Sequence, residues 1–175
     1  VNTKEIGDNT RVWAFVNIMD GVKIGANCNI CDHCFIEKGV VLGNNVTVKC
    51  GIYIWDGIEI EDDVFLGPNV VFTNDIRPRS KQYIEVVKTK IKKGASIGAN
   101  STVLAGVTIG CYAMCGIGSV VTRDVPDYAL VYGNPAKIRG WIDENGAKLK
   151  QGENNEWISE EGAVFVLNNG VMQHK

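Results

Sequence analysis

The sequence predicts an all-β chain wound as a parallel β-helix, and three regularities predict it. A large apolar side chain returns at every sixth position without a break: Ile6, Val12, Ile18, Ile24, Ile30, Ile36, Leu42, Val48, Ile54, Ile60, Leu66 and Phe72. A small or β-branched residue follows each anchor by four places, from Thr10, Val16, Val22, Cys28 and Cys34 through to Val64, Val70 and Ile76. Gly7, Gly25, Gly43 and Gly67 come directly after their anchors. A period of six matches neither the strand period of two nor the helix period of 3.6, so it marks a repeat architecture.

Each six-residue unit reads as one short strand and a corner, with two inward positions. Three units close a triangular coil of eighteen residues, which stacks Ile6, Ile24, Leu42 and Ile60 in one column at about the 4.8 Å spacing of neighbouring strands. The glycines after the anchors are expected to supply the positive φ of a tight corner. No coil can bury its own apolar face. An inward aliphatic side chain contributes about 1.5–3 kcal/mol, while ordering each backbone residue costs about 1–2 kcal/mol, so the contacts between coils must supply the surplus.

The register fails after Ile76 and resumes at Ile91, continuing through Ile97, Val103, Ile109, Cys115 and Val121. Unbroken hexads would have put an anchor at position 90, so residues 77–89 (RPRSKQYIEVVKT) must leave the coil. A loop this long in so regular a fold is a candidate functional element. Pro126 ends the repeat. The expected organisation is a β-helix over residues 1–125 with the loop 77–89, a segment 126–140 carrying the Asn134-Pro135 turn signal, and a small β-hairpin appendage over 141–175. In that last part Asn145-Gly146 and Asn169-Gly170 suit two-residue turns, while Val164, Val166 and Val171 suit strands.

At 175 residues the chain is one domain with room for such an appendage. Eighteen Lys+Arg against twenty Asp+Glu give a formal charge of −2, which argues against a nucleic-acid binder held by phosphate contacts. No apolar run is long enough to cross a bilayer and no signal peptide is present, so the cytoplasm is the expected compartment. The chain begins at Val1, which leaves open whether a segment precedes it. Cys28, Cys31 and Cys34, with His33 beside them, have the look of a metal cluster. The repeat accounts for Cys28 and Cys34 as small inward residues on successive walls, and no second cysteine pair lies at zinc spacing. No metal is expected, and reduced thiols fit all six cysteines.

The hexads, the looped-out break and the segment SIGANSTVLAGVTIGCYAMCGIGSVVTRDVPDYALVYGNPAKIRG resemble the left-handed β-helix acyltransferases, the hexapeptide-repeat family, over residues 5–140. The resemblance implies a left-handed coil and a homotrimer with active sites between subunits. Within the family, VWAFVNIMDGV, EDDVFLGPNVVFTNDIRPRS and DVPDYALVYGNPAK are similar to the N-acetyltransferases of nucleotide-linked 3-amino sugars. Those enzymes use acetyl-CoA and serve bacterial surface polysaccharide and S-layer glycan synthesis. By this resemblance the pantetheine arm lies along the backbone at Gly98, Ala99, Gly116 and Ile117. Ala99 and Ile117 are eighteen residues apart, so the repeat independently stacks them. The basic residues Arg123, Lys137 and Arg139 follow, placed in sequence either for CoA phosphates or as a solvated basic tail.

For the acceptor, the resemblance places FTND at the site of acyl transfer. Eighteen-residue stacking sets Asp56 under Asn74, where a carboxylate and an amide are able to orient an attacking amine, although corner Asp and Asn are common for turn reasons alone. Trp13 and Asn17, with His33 nearby, are candidate sugar-nucleotide contacts; an exposed Trp13 indole either stacks on a base or seals the trimer interface. His33 shares a corner column with Asn69, two coils away. Arg77 and Arg79 on the loop either meet a pyrophosphate or are simply solvated. Residues 77–89 contain no histidine, and O-acetyltransferases of the family use one there as base, because a hydroxyl must lose its proton on attack. A neutral amine attacks a thioester unaided, with the departing CoA sulfur taking the proton. The expected reaction is therefore N-acetylation of a dTDP- or UDP-linked amino sugar. The alternatives are O-acetylation of a serine, galactoside or antibiotic hydroxyl, or a non-catalytic scaffold. A three-histidine zinc hydratase cannot be built from two histidines, one of them near the C-terminus.

Overall fold

The computed structural model describes residues 1–83, 85–168 and 170–175. Among the described residues there is no helix, and no segment is a helix long and apolar enough to cross a membrane. Three parallel walls run the length of a prism. The first stacks Glu5–Ile6, Lys23–Ile24, Val41–Leu42, Ile58–Ile60, Thr89–Ile91 and Thr108–Ile109. The second begins Arg11–Val12, Asn29–Ile30, Thr47–Val48 and Phe65–Leu66, and the third begins Asn17–Ile18, Phe35–Ile36, Tyr53–Ile54 and Val71–Phe72. Partners are eighteen residues apart, as in Ile6 with Ile24 and Phe35 with Tyr53.

The anchors from Ile18 to Phe72, and the small residues from Val22 to Val70, are buried in one continuous core. Ile6, Val12 and Val16 are only partly buried, because the first coil has a neighbour on one side alone. Cys28 and Cys34 point inward and bond the carbonyls of Gly43 and Lys49, each at 3.2 Å. Burial pushes both thiols up from their ordinary pKa, as it does Cys115, to about 12.

The glycines that follow the anchors do not play the part expected of them. Positive φ falls three places after the anchors, not one, in columns such as Asn9, Asn27, Asn45 and Asp63; Phe72 and Val121, where the coil is left, are the exceptions. Gly7 and Gly67 are needed for a different reason: a Cβ there would lie 2.5 Å from the backbone nitrogen of Ala26 and 2.6 Å from that of Ala99, on the next coil. Close approach of coil to coil requires them.

The break also differs in detail. Ile76 is not an inward repeat position but is 49 % exposed on the excursion. Thr89, read from the sequence as the end of the loop, is buried in strand Thr89–Ile91. Ile60 pairs with Ile91, thirty-one positions on instead of eighteen, so thirteen residues are extruded without disturbing the stack. Both ends are tied to one corner: Thr73 Oγ1 accepts from Ala105 N at 2.9 Å, and Thr89 Oγ1 accepts from Gly106 N at 2.9 Å.

Beyond the hexads, Ala129–Tyr132 adds a parallel strand to the second wall, and Lys137–Trp141 pairs with it antiparallel, with a bulge at Leu130/Val131. Residues 141–175 form more than a hairpin. Lys150–Gln151, Glu156–Ile158, Val164–Asn168 and Val171–His174 make a four-stranded antiparallel sheet. Trp141, Leu149, Phe165 and Met172 join it to the main core. The expected turn at Asn169-Gly170 rests on residue 169 and lies outside the described residues.

Candidate active site

The edge between the third and first walls carries a cleft of about 380 Å³ where the excursion departs, lined by Glu37, Lys38, Asp56, Asn74, Asp75, Gln82, Tyr83 and Val86. Stacking accounts for it. Lys38, Asp56 and Asn74 occupy equivalent places on successive coils, and the extruded loop brings Gln82 and Tyr83 over them. Asp56 and Asn74, paired on sequence grounds, thus line one cleft. Asp56 is half-buried, and its backbone N–H donates to Glu37 Oε2 at 2.9 Å. Its carboxylate lies over the α-carbon of Gly39, where a Cβ would come within 2.5 Å of Oδ1. Asp75 Oδ1 accepts from Arg77 N at 2.7 Å, fixing the first bend of the loop. The cleft is acidic, with three carboxylates against one lysine, and suits a cationic or amine-bearing guest.

A second concavity of about 460 Å³ runs across the outer face of the third wall, lined by Phe15, Asn17, His33, Cys34, Phe35, Tyr53 and Trp55. Phe15 stacks on His33 with centroids 4.9 Å apart and planes at 10°. Phe35 meets Tyr53 at 6.3 Å and Trp55 at 5.7 Å, and the Trp55 indole is fixed by donating to Phe72 O at 2.8 Å. Trp55 lines this groove and its neighbour Asp56 lines the cleft, so the two concavities border successive residues of one rung.

The groove takes Asn17 and His33 but not Trp13. The Trp13 indole turns to the second wall and donates to Asn29 Oδ1 at 2.7 Å, because strand neighbours alternate faces and the corner swings it away. Asn69 shares the His33 corner column, but its side chain lies against Gly51, outside the groove. Arg77 and Arg79 are exposed on the loop, and the Arg79 guanidinium bonds Pro78 O at 2.8 Å; neither lines the cleft. Reading the sequence missed Glu37, Phe15, Phe35, Tyr53 and Trp55. The signal was present: Phe35 and Tyr53 are outward strand residues eighteen apart, and Glu37 stands in the Trp55 column.

The late coils present a ridge on the edge between the second and third walls. Gly98 N and Gly116 N are engaged in the ladder, to Cys115 O and Val131 O at 2.8 Å each. A Cβ on Gly98 would fall 2.6 Å from Ile117 N. Ala99 N and Ile117 N donate to no other group among the described residues, and Ile117 is 81 % exposed. Two stacked outward N–H groups of this kind are able to hold the carbonyls of an extended amide chain. Arg139 lies over the Tyr132 ring at 5.4 Å, and Tyr132 packs beside Gly116, which brings Arg139 to this ridge. Lys137 is exposed on the same strand, two places away. Arg123 is separated from them, on the turn after strand Val120–Val121 at the next edge.

Comparison with known proteins is consistent with this geometry. The family model described as bacterial transferase hexapeptide (six repeats) matches residues 3–38, and that described as hexapeptide repeat of succinyl-transferase matches residues 88–123. The chain is 67 % identical over 151 residues to a dTDP-3-amino-3,6-dideoxy-α-D-galactopyranose 3-N-acetyltransferase of Aneurinibacillus thermoaerophilus, covering 86 % of this chain and 79 % of that one. It belongs to the hexapeptide-repeat acyltransferases. A galactoside O-acetyltransferase of Lactococcus lactis is 33 % identical over 72 % of this chain and 66 % of its own length. Among solved structures, a point mutant of an N-acyltransferase from Bacillus cereus in complex with dTDP and coenzyme A superposes with a TM-score of 0.60 at 21 % identity, over 80 % of this chain and 84 % of that one. A point mutant of the GDP-perosamine N-acetyltransferase from Caulobacter crescentus, in complex with CoA and GDP-perosamine, superposes at 0.65 with 23 % identity, over 75 % of this chain and 56 % of that one. At these identities the superpositions speak for the fold of the family.

Proposed function

We propose that this chain transfers the acetyl group of acetyl-CoA to the 3-amino group of a dTDP-linked 3-amino-3,6-dideoxyhexose. The identity to the Aneurinibacillus enzyme supports the substrate class, and the acidic cleft supports an amine as acceptor. The observation that carries the reading is the company Asn74 keeps. Glu37, Asp56 and Asp75 surround it, and no imidazole lines the cleft among the described residues. His33 lies in the aromatic groove instead.

The carboxylates draw in the aminohexose as its ammonium ion, which gives up one proton to solvent at the cleft mouth, and the Asn74 amide orients the neutral nitrogen. The amine lone pair attacks the thioester carbonyl carbon and the C–N bond forms. The C–S bond then breaks and the surplus nitrogen proton goes to the departing CoA sulfur, giving the acetamido sugar and free thiol. Ala99, Ile117, Lys137 and Arg139 hold the CoA. The ridge and the cleft stand on different edges of one prism, so the chain acts as a homotrimer in which one subunit's ridge faces its neighbour's cleft. Its place is the cytoplasm, in synthesis of surface glycans.

The test is thiol release from acetyl-CoA with dTDP-3-amino-3,6-dideoxygalactose, its UDP counterpart and a simple galactoside. Turnover with the dTDP amino sugar and none with the galactoside is expected. The relationship to the galactoside enzyme makes O-acetylation the competing reading, and turnover with the galactoside alone would establish it instead.

A further inference from the structure

The excursion returns to the prism on two valines set against two glycines. Val86 lies against Gly57 and Val87 against Gly106, residues at φ of +84 and +86 on the coils before and after it, along the edge between the third and first walls. A Cβ on Gly57 would collide with Val86 Cγ1, and one on Gly106 would come within 2.9 Å of Val87 Cγ1. Thr89 N then donates to Gly57 O at 3.0 Å and closes the limb on the same glycine. Val86 is thereby held as part of the wall although it belongs to the loop. The two valines differ in one respect: Val86 lines the acidic cleft and Val87 does not. Apart from the Tyr83 ring, which is 90 % exposed, every other side chain lining the cleft ends in a charge or an amide. Val86 is therefore its one fixed apolar surface, and because Gly57 follows Asp56 directly, that surface begins one residue, about 3.3 Å, from the carboxylate's own backbone.

We infer that Val86, seated on Gly57, receives the C5 methyl of the acceptor hexose and is the residue that selects a 6-deoxy sugar. The inference rests on the acetyltransferase reading and adds to it how the sugar is chosen. In a 3-amino-3,6-dideoxygalactose the amine and the methyl are both equatorial, on ring carbons 3 and 5, and so stand about 5 Å apart, one rung of the prism. With the amine at Asp56 and Asn74, the methyl reaches Val86. A 6-hydroxyl in its place would be set against the valine methyls and lose its water. A 6-carboxylate would in addition enter a cleft that already holds Glu37, Asp56 and Asp75. The order of acceptors is 6-deoxy, then 6-hydroxy, then 6-carboxy. An apolar wall rejects an added hydroxyl only moderately, so the first step is about 10–100-fold in kcat/KM.

The experiment compares dTDP-3-amino-3,6-dideoxygalactose with its 6-hydroxy counterpart, dTDP-3-amino-3-deoxygalactose, by thiol release and, without acetyl-CoA, by binding titration. The proteins are the wild type, Val86→Thr, Val86→Ala and Val87→Thr. Threonine keeps the shape of valine and brings a hydroxyl, so Val86→Thr should cut the wild-type preference to less than about threefold. Val86→Ala should cut it as well, by opening the wall. Both changes should fall on KM for the sugar nucleotide and leave KM for acetyl-CoA alone. Val87→Thr is the control for the loop itself: a loosened limb slows both acceptors alike, so its preference should stay that of the wild type. A preference unchanged in both Val86 variants would overturn the inference, as would one lost equally in Val87→Thr. Tighter wild-type binding of the 6-deoxy sugar without acetyl transfer to either would uphold the valine and overturn the reaction. Acetyl transfer to both sugars alike would do the reverse, so the two readings fail separately.

Discussion

Replacing Gly67 with alanine separates two accounts of why glycine follows the anchors. If those glycines served corner conformation, Gly67→Ala would cost little, because its φ is not in the positive range. The packing says otherwise. The new Cβ would sit 2.6 Å from Ala99 N and 3.0 Å from both Gly98 C and Ile97 O, all backbone atoms with no rotamer to change. Ordinary contact begins near 3.4 Å, so the coils must part by about 0.8 Å. The bond from Gly67 N to Ile97 O, now 2.8 Å, would then reach about 3.6 Å and cease to be one. A lost ladder bond and overpacking together cost about 2–4 kcal/mol. Gly21 is the control: its φ is +77 and nothing lies within 4 Å of a Cβ, so Gly21→Ala costs about 1 kcal/mol of backbone strain. In thermal unfolding, where each kcal/mol moves the midpoint by about 2–4 °C at this chain length, Gly67→Ala should melt well below Gly21→Ala. The reverse order would refute the packing argument.

Asn74→Ala should lower kcat about a hundredfold by misplacing the amine, and Asp56→Asn should raise KM for the amino sugar, both with KM for acetyl-CoA unchanged and measured by thiol release; wild-type kinetics in both would remove the cleft from the chemistry. Lys90 donates to Glu61 Oε1 at 2.8 Å and holds its carboxyl below the usual range, helped by the Lys93 N–H. A depressed folded pKa stabilises above the unfolded value of about 4.3 and the effect is lost as pH falls through the folded one. Glu61→Gln should therefore lower stability at neutral pH by less than about 1 kcal/mol, the pair being part-exposed, and flatten the acid limb of a melting-temperature profile. Burial, and then the Glu144 charge, push the Tyr128 phenol up to about 12. The unfolded chain ionises first, near pH 10, so stability should fall as pH rises between those values. Tyr128→Phe should remove that fall, and an unaltered profile would count against it.

The sequence carried the coil register because each inward residue is repeated by its neighbours above and below, so a single ambiguous position such as Thr10 does not hide the period. It also carried the pairing of Asp56 with Asn74, which needs nothing beyond the count of eighteen. Side-chain direction was less legible. Trp13 and Phe15 flank one corner, yet one turns to Asn29 and the other to His33, and that choice depends on the local dihedrals of the bend. The positive-φ positions were misplaced because glycine answers two demands, freedom of φ and absence of a Cβ, that look alike in a sequence. Glu37 escaped notice because its bond to Asp56 N joins residues nineteen apart, one step off the stacking count.

The hydroxyls of Thr73 and Thr89 grip adjacent residues of one bend, Ala105 and Gly106. The excursion between them therefore behaves as a cassette in a socket: beyond Asn74 and Asp75 its length can change while the rungs on either side keep their alignment. Grafting a differently sized insert after Asp75 should leave the prism itself standing.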